Sequence, residues 1–81
     1  MNYSFHPEAE EEFLAAIEYY EECEESLGFE FASEVRAAVV RAAEYPRTWP
    51  VIEGEVRRCL TTRFPYGVLY SERRTASLRE R

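Results

Sequence analysis

The chain contains no lysine and no aspartate. All 16 acidic side chains are glutamate and all 10 basic ones are arginine, so any cationic surface must be built from guanidinium groups, which stay protonated. Histidine occurs once, at His6, and cysteine twice, at Cys23 and Cys59, without a CxxC spacing. That is too few soft ligands for a tetrahedral metal centre, so neither a metal nor a cofactor is expected. In a reducing compartment the two cysteines read as thiols rather than as a disulfide. The three glycines are scattered and form no phosphate-cradling loop. No apolar run approaches the roughly 18 residues that would mark a transmembrane helix. The start, MNYSFHPEAEEEF, lacks a basic stretch followed by an apolar one, so it does not read as a secretory leader. A cytoplasmic protein with no membrane association is the expectation.

What is present is a single small domain of 81 residues, rich in rings at 15% Phe, Trp and Tyr. Large rings help so short a chain to bury a core. The net charge of −6 hides a division: residues 1–45 hold 12 Glu against 2 Arg, net −10, whereas residues 46–81 hold 4 Glu against 8 Arg, net +4. A net acidic chain is a poor general binder of nucleic acid, but a local basic face can still serve. Direct nucleic-acid binding therefore stays open. No repeats or low-complexity segments interrupt the chain.

Residues 1–6 alternate, with Tyr3 and Phe5 on one side, and read as a short strand. Pro7 and the glutamates after it open a helix over 8–26, because proline suits the first helical position and acids suit the positive end of the dipole. Ala9, Phe13, Ala16, Ile17, Tyr20 and Leu27 form its apolar stripe, and Gly28 reads as its C-terminal stop. A second helix over 29–45 buries Phe31, Val35, Ala38, Val39 and Ala42 and ends at Pro46. So short a link makes the pair an antiparallel hairpin. Glu21, Glu22, Glu24 and Glu25 crowd the end of the first helix against its dipole; Arg36, Arg41 or a basic partner would offset them.

PRTWPVIEGE reads as a loop, with Trp49 folded over the core edge. Strands follow over 56–64 and 66–73, joined by FPYG as a turn with Pro65 second and Gly67 fourth. The remaining stretch, 74–81, is highly charged and weakly periodic and reads as a tail. The architecture is α+β: a helical hairpin on one face of a small antiparallel sheet.

Strand alternation puts Arg57 and Arg63 on one face with Cys59 and Thr61, and Arg58 on the other with Val56 and Leu60. The three arginines thus do not line one surface. As solvated strand residues they would pair with helix glutamates; as functional ones they would contact phosphate or an acidic partner. Tyr66 and Tyr70 share a face and read as core rings or as stacking platforms. His6 has no Ser, Cys or Asp close by in sequence and reads as a packing or capping residue. A nucleophilic Cys59 would need a base, and His6 is the one histidine. The residues alone give no catalytic constellation.

The segments YSFHPEAEEEF, EYPRTWP and VRRCLTTRFPYGVLY together resemble the RelE/ParE family of bacterial type II toxins, over about residues 2–71. The pattern RR-x-L-x-x-R-F-P-Y-x-V-x-Y carries most of the likeness. The resemblance implies a compact α+β fold and the toxin of a toxin–antitoxin, plasmid-stabilising or stress-response system, held inactive by a cognate antitoxin. ParE-like members bind DNA gyrase and are not enzymes in themselves; RelE-like members cut mRNA on the ribosome. The absence of lysine, the net negative charge and the RFPYGVLY turn favour the ParE-like branch, a binder rather than an enzyme. Under the nuclease alternative, Arg58 and Arg63 would be the functional basic residues. Arg57, Arg58, Arg63, Tyr66 and Tyr70 are the candidates for contact with the target or the antitoxin.

The family pattern continues with a further apolar strand, where this chain runs YSERRTASLRER. The expectation is a sheet lacking that last strand, with an open edge inviting a second copy or an antitoxin strand. A decayed, non-toxic interaction module is the reading that follows if function depends on it.

Overall fold

A computed structural model describes residues 4–5, 7–71 and 75–80. Seven elements follow in order: β1 (Ser4–Phe5), α1 (Pro7–Cys23), α2 (Leu27–Glu44), β2 (Val51–Glu53), β3 (Val56–Leu60), β4 (Tyr66–Tyr70) and β5 (Thr75–Glu80). They make one five-stranded sheet in the order β1-β5-β4-β3-β2. β1 runs parallel to β5, and every other neighbouring pair is antiparallel. The α+β architecture expected from the sequence is present, with the two helices against one face. Residues 1–3, 6, 72–74 and 81 lie outside the described residues, and with them Tyr3, His6 and the expected end of the second strand.

The absent last strand is a correction. β5 forms within the stretch read as a tail and sits between β1 and β4, so the open edge beside β4 does not exist. Only one face of this sheet carries helices, and a strand there needs apolar side chains on that face alone. Ala76 and Leu78 supply them, at 1% and 6% exposure, while Ser77 and Arg79 alternate outward. β2 is a second element missed within the expected loop. Gly54, at a φ of 54°, takes the first central position of the two-residue turn Gly54–Glu55 joining β2 to β3.

The core is a ring cluster between α2 and the sheet. Phe31 is fully buried, with its ring centroid 4.9 Å from Tyr20, 5.1 Å from Phe64 and 5.1 Å from Tyr66. Phe13 extends the cluster to Phe5 through two contacts of 5.9 Å. Val35, Ala38 and Ala42 bring α2 down onto Cys59, Val68 and Tyr70, and Trp49 packs against the edge of this cluster as expected.

The helical link lies earlier than the sequence implies, over residues 24–26. Gly28 does not stop α1; it lies in the first turn of α2. A Cβ there would stand 2.5 Å from the Ile17 carbonyl oxygen, so glycine is what lets the helices meet. The turn is made by Ser26, at a φ of 71°. Glu21 reaches across to accept from the backbone N–H of Ser26 at 2.9 Å and of Gly28 at 3.0 Å. One glutamate at the unfavourable end of α1 is thus spent on the favourable end of α2. Arg36 and Arg41 do not neutralise the α1 glutamates; Arg41 instead donates to the Leu60 carbonyl at 3.3 Å.

Candidate functional site: the open face of the sheet

Register decides which side chains share a surface. Cys59, Val68 and Leu78 stand opposite one another across β3, β4 and β5 and face the helices. The flanking rows therefore face away: Arg58–Leu69–Ser77, and next to it Leu60–Gly67–Arg79. No helix covers this side. It holds a shallow depression of about 240 Å³, whose lining includes Ile52, Val56, Leu69, Ser77 and Arg79, with Glu53 on its rim.

Gly67 is the centre of this face. A Cβ on it would lie 2.9 Å from Arg58 Cγ and 3.0 Å from Arg58 Cδ. The Arg58 stem thus lies over the glycine, and Arg79 stands directly opposite the same glycine on β5. Two guanidinium-bearing residues thus stand on either side of one buried glycine. Among the described residues neither has a carboxylate partner; the ion pairs there belong to Arg63.

The other candidates are dispersed and employed in holding the fold. Arg57 points to the helix side at the sheet margin, where it donates to the carbonyls of Trp49 at 2.6 Å and Arg47 at 3.4 Å. Tyr66 packs in the ring cluster. Tyr70 is 3% exposed and donates from its hydroxyl to the Pro46 carbonyl at 2.8 Å. Tyr70 is thus a core ring, whereas Tyr66 is half-buried against the core and lines the groove between α1 and β5. Arg63 is held by α2, 2.7 Å from Glu30 and 3.7 Å from Glu34. Arg58 and Arg63, paired in the nuclease reading, are not brought to one surface: Arg58 lies on the open face and Arg63 is tied to the helix layer.

The segment after Leu60 explains the separation. β3 ends there, short of the expected 64, because Glu34 Oε1 accepts from the N–H of Thr62 at 3.0 Å and of Arg63 at 2.9 Å. The buried Thr61 ties the loop by donating from its hydroxyl to the carbonyls of Phe64 at 2.8 Å and Tyr66 at 3.1 Å. Tyr66 N–H donates to the Phe64 carbonyl at 2.8 Å, a three-residue turn centred on Pro65. The expected four-residue FPYG turn is therefore replaced by a tighter one, with Gly67 already inside β4.

Cys59 is fully buried, and burial pushes its thiol up against the opposing pull of Arg41, which favours the unreactive form. Cys23 is exposed on α1, and the two thiols are free. Among the described residues, no group of three or more metal-ligating side chains occurs and no helix is long and apolar enough to cross a membrane.

A larger groove of about 640 Å³ runs between α1 and β5, floored by Ala9, Ala16 and Leu78 and rimmed by Glu8 and Glu12. Ser77 and Arg79 line this groove too, so it adjoins the open face. Sequence reasoning missed Arg79 because the tail reading gave it no strand and no face. The signal available was the alternation of Ala76 and Leu78 with Ser77 and Arg79. Comparison with protein-family models, with curated proteins and with solved structures gave no match.

Proposed function

We propose that this protein is a RelE/ParE-like toxin of the binding kind, which engages DNA gyrase through the open face of its sheet and is neutralised by a cognate antitoxin. The observation that carries the binding reading is the Arg58–Gly67–Arg79 arrangement: two arginines without acidic partners among the described residues, on a face no helix covers. Such a pair attracts an anionic surface and fixes its orientation, since guanidinium donors favour paired oxygens. Arginine holds its proton throughout the accessible pH range, so the pair is suited to holding rather than to proton transfer. Besides Arg79, the titratable residues that line the depression are Glu53 and Tyr70.

Two further features support the family reading. β5 stands where the resemblance calls for a last strand, so an incomplete sheet does not argue for a decayed chain. The groove along α1, rimmed by Glu8 and Glu12, offers a basic antitoxin segment a second surface, which adjoins the target face at Ser77 and Arg79.

The test is a side-by-side assay of the purified protein. Inhibition of gyrase supercoiling, lost in Arg58→Ala/Arg79→Ala while mRNA on translating ribosomes stays intact, is the expected result. Ribosome-dependent mRNA cuts without gyrase inhibition would transfer the face to the nuclease reading. No effect in either assay, and no growth arrest on expression, would leave an antitoxin-binding module.

A further inference from the structure

The turn after β3 carries a second anion seat, and the chain fills it itself. Three hydrogen-bond donors and a guanidinium converge there. Glu34 Oε1 accepts from Thr62 N–H at 3.0 Å, from the Thr62 hydroxyl at 3.0 Å and from Arg63 N–H at 2.9 Å. The Arg63 guanidinium stands 3.7 Å from the other oxygen of the same carboxylate. Successive backbone N–H groups aimed at one point, backed by a hydroxyl and a cation, make an oxyanion nest. The seat is at the surface: Thr62 and Arg63 are exposed, and the Arg63 side chain keeps 57% of its accessibility. Arg63 also lies 5.4 Å above the Phe64 ring, which positions its stem over the turn.

We infer that Thr62 and Arg63 form an oxyanion-binding seat occupied in cis by Glu34, so that an external carboxylate or tetrahedral oxyanion binds there only when Glu34 leaves. The arginine that the sequence pattern singles out would then be withheld from partners rather than absent from function. This goes beyond the open-face reading and does not depend on it, because the seat uses neither Arg58 nor Arg79.

Electrostatics keeps the seat closed to free anions while Glu34 is in place. Glu30 is bonded to Arg63 at 2.7 Å, and the charge of Glu24 also reaches Arg63. An incoming anion therefore meets three carboxylates around one guanidinium. Removing Glu34 leaves the nest donors without their acceptor and relieves part of this repulsion.

The experiment is an amide NMR titration of the full chain with sodium sulfate and with sodium acetate, at ionic strength matched with chloride. In Glu34→Ala the Thr62 and Arg63 amide signals should move saturably, with an apparent affinity about tenfold or more above that of wild type. Glu34→Ala/Arg63→Ala should lose that gain. Saturation by acetate identifies a carboxylate seat and saturation by sulfate a tetrahedral-anion seat; either supports the proposal. No saturable movement in a folded Glu34→Ala, or equal movement in wild type, overturns it. So does movement spread equally over Arg47, Arg58 and Arg79, which would mean an adventitious ion only. Should Glu34→Ala not fold, the wild type decides: acidification through the Glu34 titration should shift both amides and let sulfate bind. Amides that stay still through that range would count against the seat.

Discussion

Arg57 and Arg58 are neighbours in sequence and opposites in structure. Arg57 reaches the helix side of the sheet margin and satisfies two loop carbonyls, so its charge is absorbed into the fold. Arg58 points to the open face, lays its stem over Gly67 and has no acidic partner among the described residues. The difference is one step of strand alternation. It divides the molecule into a side where charge holds loops in place and a side where charge is presented. Arg63 falls with Arg57, fastened to α2; Arg79 falls with Arg58.

The division can be broken most severely on the helix side. Phe31→Ala removes the ring on which Tyr20, Phe64 and Tyr66 converge and should cost about 3–5 kcal/mol, read by chemical denaturation. Next in size is the contrast between adjacent residues of β5. Leu78→Ala should cost about 2–5 kcal/mol because its side chain is buried, whereas Arg79→Ala should stay within about 0.5 kcal/mol. Equal effects would mean that β5 does not alternate as described.

The two crowded glycines sharpen the comparison. Gly28→Ala drives a Cβ against a backbone oxygen at 2.5 Å and should cost about 1–3 kcal/mol. Gly67→Ala meets the stem of Arg58, which can swing aside, so its stability loss should be smaller. Its larger consequence should be a displaced Arg58 and weaker target binding.

A modest, pH-dependent effect is expected at the turn. Partial burial raises the Glu34 carboxyl, but the bonds from Arg63 N–H, the Thr62 hydroxyl and Thr62 N–H, with the Arg63 charge, outweigh it and hold the group below its usual 4.5. A lowered folded value means that the stabilisation is complete above the unfolded value and fades as pH falls through the folded one. Glu34→Gln should therefore lose about 1 kcal/mol at neutral pH, with the difference from wild type vanishing under strongly acid conditions. A pH-independent difference would remove the carboxylate's role.

Much of the helical layer was legible because its signal is periodic. The α2 stripe of Phe31, Val35, Ala38, Val39 and Ala42 repeats at helical spacing; four of its members are buried, and Val39 is half-buried against the core. The opposite facing of Arg57 and Arg58 was legible for the same reason. What was hidden depends on distant partners. Gly28 reads as a helix stop until Ile17 is seen above it. β5 was hidden because a strand covered on one face needs only Ala76 and Leu78, too few to stand out in a charged stretch. β2, preceded by Pro50 and followed by Gly54 with all three of its residues exposed, offers almost no apolar pattern of burial. Of the site, Arg58 was named and Arg79 was not, since its face exists only once β5 pairs with β4.

The most direct measurement compares Arg57→Ala and Arg58→Ala for inhibition of gyrase, at a temperature where both are folded. The expected result is inhibition retained by Arg57→Ala, with a lowered denaturation midpoint, and lost by Arg58→Ala, with an unchanged midpoint. Loss of inhibition in Arg57→Ala with retention in Arg58→Ala would contradict the division between the two faces.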